Sequence, residues 1–175
     1  MNKDKVNLYL EKIFGRVMSS FYTSIISRME LNSSDTVLDF GCGTGNSARH
    51  IVKKAGKVVC LDIENEKMKY AKKTVRKYDN VEFVEKELPS CGYKEEFDKI
   101  VVVYVLHDFN DAMLKEIAGA FLDSLKPKGR MFICEPCKET HGIEPKVLRK
   151  HFLDAGFKLV EEKLEEKKFK MIFDK

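Results

Sequence analysis

The sequence has no tryptophan, no glutamine and only four prolines, and its charge nearly cancels, with 32 basic against 28 acidic side chains. A net charge of +4 does not supply the clustered basic face that nucleic-acid binding normally calls for. No apolar run approaches the roughly 18 residues that mark a membrane helix. The leading MNKDKVNLYLEKIFG lacks the uninterrupted apolar core of a secretory signal. Five cysteines are an odd number and suggest no disulfide framework, so the expected setting is a reducing cytoplasm with no membrane partner. Repeats and low-complexity tracts are absent too. What is present is a 43% hydrophobic chain of 175 residues, enough for one well-cored domain and too rich in apolar residues for a disordered one.

Short apolar runs alternate with polar, helix-patterned stretches. The runs are Thr36–Phe40, Lys57–Leu61, Val81–Val84, Asp98–Tyr104, Arg130–Cys134, Phe157–Glu162 and Lys168–Phe173. Several are continuous rather than alternating, as in strands buried on both faces of a parallel sheet. Helices are expected over Ser47–Ala55, Glu64–Lys77, Asp111–Leu125 and Pro145–Ala155. Met68, Ala71 and Val75 mark the inner face of the second, and Met113, Leu114, Ile117, Phe121 and Leu125 that of the third. This alternation implies an α/β fold with a doubly wound, mostly parallel seven-stranded sheet. The last two runs are joined too tightly for a parallel crossover, so the last strand should run antiparallel. An amphipathic helix over about residues 5–29 precedes the first strand, and the organisation expected is a single domain over 1–175, with a helical lid over 1–30 and a core over 35–173.

The sharpest feature is Asp39-Phe40-Gly41-Cys42-Gly43-Thr44-Gly45-Asn46, where a strand enters a glycine-rich turn and then a helix. Glycines permit positive φ and let a ligand approach without meeting a Cβ, and helix-start N–H groups suit an anion. The sixth position is Asn46, so the dinucleotide fingerprint G-x-G-x-x-G is incomplete, and no G-K-[ST] follows to make a P-loop.

The turn instead resembles motif I (D-x-G-C-G-T-G) of class I S-adenosylmethionine-dependent methyltransferases. Other segments agree in order: Asp62 and Ile63 after the second strand, Glu87-Leu88-Pro89 after the third, Phe97-Asp98 through Tyr104-Val105-Leu106-His107-Asp108 at the fourth, Leu125-Lys126-Pro127-Lys128-Gly129 before the fifth, and Ala155-Gly156-Phe157 before the sixth. The family usually has Asp where Glu87 stands and Gly where Lys128 stands. The resemblance implies S-adenosylmethionine as cofactor. The Gly41, Cys42 and Gly43 amides would hold its methionine carboxylate, and Asp39 its amino group. Asp62 would take the ribose hydroxyls, Ile63, Glu87 and Leu88 would border adenine, and Tyr104 would border the methionine arm and the transferred methyl.

His107-Asp108-Phe109-Asn110-Asp111 also resembles the H-D-W-x-D segment of small-molecule O-methyltransferases, which implies His107 as general base; Asp108 or Asn110 can equally serve as caps for the following helix. The adjacent segment lacks the N/D-P-P-Y/F of amino-methylating nucleic-acid enzymes. Lysine-rich segments interleave with acids, as on a solvated face. The expected acceptor is therefore a small molecule rather than nucleic acid, with the chain a monomer or homodimer. Two alternatives stand beside it: a non-catalytic regulatory or scaffold protein that binds S-adenosylmethionine, and a methyltransferase of RNA or protein. Cys134, Cys137, His141 and His151 form a further set with a C-x2-C spacing, compatible with a metal or dithiol module. A second close cysteine pair is missing, however, and a buried strand cysteine is usually a small hydrophobe, so no metal site is assigned.

Overall fold

The computed structural model describes Val17, residues 19–138 and residues 141–175, with the side chains of Lys138 and His141 excepted. Helix α1 (Ser19–Ser27) leads into β1 (Thr36–Phe40), and β2 (Lys57–Leu61), β3 (Val81–Val84), β4 (Phe97–Val103) and β5 (Leu125–Lys138) follow. Between them lie α2 (Ala48–Ile51), α3 (Asn65–Thr74) and α4 (Asp111–Ser124). A two-residue β6 (His141–Gly142), α5 (Pro145–Ala155), β7 (Lys158–Glu165) and β8 (Lys168–Asp174) complete the chain. The main sheet has the order β3-β2-β1-β4-β5-β8-β7, with β6 pairing only β5. Strands β1 to β5 pair in parallel, while β8 runs antiparallel to both β5 and β7. The expected seven-stranded sheet with its antiparallel last strand is thus present.

Successive residues of β1 serve opposite layers. Leu38 and Phe40 join the core beneath α4 and α5, while Val37 joins the layer that contains Met68 and Ala71 of α3 and Ile25 and Ile26 of α1. That is the two-residue period of a strand covered on both faces. Phe121 of α4 lies edge-on to Phe40 with centroids 4.8 Å apart. Phe152 of α5 stacks on Phe173 of β8 at 5.2 Å, so aromatic pairs link the helices to the sheet.

Helix limits follow from their caps. Asn110 accepts a hydrogen bond from the Met113 amide and starts α4, settling its role as a cap. Pro145 opens α5, and Gly156, at φ +113°, closes it. Helices α2 and α3 are shorter than their sequence patterns suggest, and β5 extends past Cys134 through Glu135 and Pro136. Of the N-terminal helix, the part over Ser19–Ser27 is helical, and residues 1–16 lie outside the described residues. The chain turns from β3 to the opposite side of β1 to form β4, so strand order reverses between β1 and β4. Open α/β sheets bind ligands beyond the strand carboxyl ends at such a point.

Candidate active site

The glycine turn sits at that reversal. As β1 ends, the Gly41 and Cys42 amides both donate to the Leu61 carbonyl, at 2.8 and 3.1 Å. Gly41 has φ +64°, and a Cβ there would lie 2.4 Å from a Val105 methyl. Gly43 (φ +52°) and Gly45 (φ +81°) continue the left-handed path. Asp62 organises the turn from β2: its Oδ2 accepts from the Gly43 amide at 2.8 Å and its Oδ1 from the Glu64 amide at 2.9 Å. The helix that follows is only Ala48–Ile51, so it offers little of a long helix dipole to an anion.

Asp39 is 2% exposed. Ser47 Oγ lies 2.8 and 2.6 Å from its two oxygens and donates to the carboxylate. Burial pushes the Asp39 carboxyl up to about 7 against the pull of the Ser47 hydrogen bond, and the nearby Asp62 charge adds to the rise. Cys42 packs against Met68, sulfur to sulfur at 3.8 Å. Its thiol is held protonated by hydrogen bonding with Cys60 and by burial.

The second half of the site comes from β4 and β5. Tyr104 leaves β4 at φ +58°, an uncommon conformation for a bulky residue and one that gathers at functional sites. Its amide donates to the Cys134 carbonyl at 2.9 Å, and its ring stacks on Phe21 of α1 at 5.6 Å. Beyond it a 3-10 turn covers Leu106–Asp108. Glu135, fully buried in β5, ties this turn down. Its Oε1 accepts from the Val105 and Leu106 amides at 2.8 and 2.9 Å, and its Oε2 stands 2.7 Å from His107 Nδ1. That contact, foremost, raises the proton affinity of His107 above the usual histidine value.

These parts converge on one cavity of about 1080 Å³, roomy enough for a drug-sized ligand and more. Asp39, Gly41, Cys42, Gly43, Asp62, Ile63, Glu87, Leu88, Tyr104 and His107, every residue the sequence singles out for the site, line it. Ile63 is 67% exposed, an apolar surface bare to the cavity. Sequence reasoning missed Ser47, Glu135, Tyr22, Lys167 and Lys168. Glu135 carries the one detectable signal, an acid directly after the apolar run Arg130–Cys134.

A cofactor with an anionic end, vicinal hydroxyls and an adenine fits this lining: a backbone cradle that a Cβ would fill, a carboxylate at the next strand end, and an exposed Ile63. Of the set Cys134, Cys137, His141 and His151, the His141 side chain lies outside the described residues. Burial pushes the Cys134 thiol up to about 12, Cys137 faces the Glu165 carbonyl at 3.8 Å, and no metal-holding cluster occurs among the described residues.

Residues 37–129, just over half of the chain, match the family model of a methyltransferase domain. An uncharacterized methyltransferase of Oceanobacillus iheyensis is 27% identical over 171 residues, covering 93% of this chain and 72% of its own. The phosphoethanolamine N-methyltransferase 1 of Triticum aestivum is 29% identical over 70% of this chain, which spans only 26% of that longer enzyme. Among solved structures, the N-methyltransferase NodS of Bradyrhizobium japonicum in complex with S-adenosyl-L-homocysteine superposes with a TM-score of 0.77 at 14% identity, over 91% of this chain and 86% of that one. A SAM-dependent methyltransferase of Aquifex aeolicus superposes at 0.73 and 20% identity, over 87% and 88%.

Proposed function

This chain belongs to the methyltransferase-domain family, with S-adenosylmethionine as its cofactor, and we propose that its acceptor is a small molecule deprotonated by His107. When bound, the cofactor supplies an electrophilic methyl group on a positively charged sulfur. The Gly41–Gly43 turn, whose own amides are engaged by the Leu61 carbonyl and Asp62, would border its carboxylate end, and Asp39 would take its ammonium. Asp62 takes the ribose hydroxyls through carboxylate oxygens already oriented by the Gly43 and Glu64 amides. Ile63, Glu87 and Leu88 border the adenine, and Tyr104 borders the methionine arm, held in place by its stack on Phe21.

The observation that carries the base assignment is the Glu135–His107 contact at 2.7 Å. Glu135 accepts a hydrogen bond from Nδ1–H, and Nε2, 3.7 Å from Asp108 Oδ1, is the ring atom that takes a proton from the acceptor. The carboxylate also stabilises the imidazolium formed as the proton arrives. Glu135 itself is fully buried and acts through His107 as a positioning residue. A concave site bordered by Tyr22 of α1, the 3-10 turn and the β7–β8 turn favours a small acceptor over a macromolecule.

The test is a product screen with methyl-labelled S-adenosylmethionine against separate pools of small metabolites, RNA and protein. Label is expected in the metabolite pool. Label in RNA or protein would overturn the small-molecule reading, and label in no pool would point to a non-catalytic binder. His107→Ala should lower kcat by about 100-fold or more, the usual worth of a general base, with cofactor affinity unchanged by calorimetry. Equal turnover in the two proteins would remove the base role.

A further inference from the structure

The cavity is electrically polarised in a way that methyl donation alone does not require. Its β1, β2 and β3 side carries the carboxylates Asp39, Asp62, Glu64 and Glu87, and the one lysine there, Lys67, is paired with Glu64 at 2.7 Å; Asp108 of the 3-10 turn and Glu116 of α4 also line the cavity. The opposite side, two strands beyond β4 in the sheet order, presents Lys167 and Lys168 from the β7–β8 turn.

That turn is held firmly. The Cys137 amide donates to the Lys167 carbonyl at 3.2 Å, and Pro136 is in register with Lys168. The Lys168 ammonium sits 4.7 Å over the Phe21 ring, whose plane stacks in turn on Tyr104. Among the described residues, positive charge is in excess at the turn. Glu165 is shared between Lys168 at 3.3 Å and Lys170 at 2.8 Å, and Lys167 meets Glu166 only at 4.0 Å, with both side chains largely exposed. Two carboxylates there, Glu165 and Glu166, answer three ammonium groups, and two of those lysines, Lys167 and Lys168, line the cavity.

We infer that the acceptor carries an anionic group, a carboxylate or a phosphate, seated on Lys167 and Lys168 so that its nucleophile faces His107; the inference rests on reading this cavity as a methyl-transfer site. A point charge on a flexible stem can meet either anion. The anchor lies across β4 from the acid-lined cofactor side, so the two ligands are recognised by opposite charge at opposite ends. Such complementarity sets specificity through both attraction and rejection, since a cationic acceptor would face the lysines unpaired.

The test uses the full chain saturated with S-adenosylhomocysteine and followed by amide NMR at constant ionic strength. Inorganic phosphate, acetate and tetramethylammonium chloride are titrated separately. Saturable shifts at residues 165–168 with phosphate or acetate, and none with tetramethylammonium, are expected; the stronger anion identifies the group. Lys167→Glu, an exposed change that leaves the fold intact, should weaken anion binding about tenfold or more at unchanged S-adenosylhomocysteine affinity, and Lys167→Arg should largely preserve it. No saturable response to either anion overturns the inference, as does an equal response to tetramethylammonium. A matching loss of S-adenosylhomocysteine affinity in Lys167→Glu also overturns it, because the lysines would then serve the cofactor carboxylate. Failure of S-adenosylhomocysteine to bind at all sinks the cofactor reading as well, whereas binding without an anion response sinks this inference alone.

Discussion

Asp39 ends β1 with almost no exposure, and burial lifts its carboxyl to about 7. Without a cation beside it, the side chain is substantially protonated at neutral pH and below. A ligand ammonium placed against it favours the carboxylate, so cofactor binding should release a proton. Calorimetry near pH 6 in buffers of different ionisation enthalpy is expected to report about one proton released, with affinity rising until about pH 7 and then levelling. Asp39→Asn should abolish both the release and the pH dependence. An Asp39→Asn protein that still releases the proton would place it on another group. The acid itself is legible in the sequence, since a carboxylate two residues before a glycine turn is unusual in a buried strand. Its shifted proton affinity is not legible, because that depends on how completely α2, β2 and the turn exclude water.

At the scale of the element, the glycine turn works because of what packs above it. A methyl at Gly41 would strike Val105, which the Glu135 carboxylate holds in place through its amide. Gly41→Ala should therefore cost about 2–4 kcal/mol by denaturant unfolding, from left-handed strain and overpacking together. Adding Val105→Ala should leave the double variant less destabilised than the two single changes summed. Strict additivity would show that the two elements do not press on each other.

Elements with strong local punctuation are read well from sequence, and α5 keeps its expected limits because Pro145 and Gly156 set both ends. Helix α2 does not reach Ala55 as its pattern suggests. Gly56 instead turns back so closely that a Cβ there would lie 2.4 Å from the Ser33 carbonyl oxygen, and its amide bonds to the Asp35 carbonyl at 3.0 Å. The fifth strand overruns its apolar pattern for a similar reason: Glu135 and Pro136 continue it because β8 offers a ladder as far as Lys168.

For the whole molecule, the titrating groups combine into a pH profile of stability. Asp39 has its proton affinity raised by burial, and His107 chiefly by Glu135. Each binds its proton more tightly folded than unfolded, so each contributes stability that is lost as pH rises through its folded value. His50 acts oppositely: burial and the charges of Arg49, Lys53 and Lys54 depress it to about 4, so its contribution improves as pH climbs from there towards the ordinary value of 6.5. Below about 6.5 the histidine and Asp39 oppose each other, while above it only losses remain. The cofactor-free protein should therefore show a falling thermal midpoint as pH rises above about 6.5. Glu135→Gln, which keeps an acceptor oxygen for the Val105 and Leu106 amides but drops the charge beside His107, should flatten that fall. A midpoint that rises over this range would contradict both assignments.

The sequence alone determines the alternation of strand and helix, the left-handed glycine turn and the acids at the ends of β1 and β2. Each depends on local periodicity, on glycine's φ range or on a position next to a strand end, and needs no knowledge of the neighbours. Only the tertiary structure decides that Glu135 meets His107 across 28 residues, that Tyr22 and Lys167 reach the same cavity, and that its two ends differ in charge. The meetings of Glu135 and Lys167 follow from β4, β5 and β8 lying side by side in the sheet, and that of Tyr22 from α1 packing on it. Strand order and register, set by packing of the whole chain, choose which distant side chains share a cavity, and no local pattern encodes that choice.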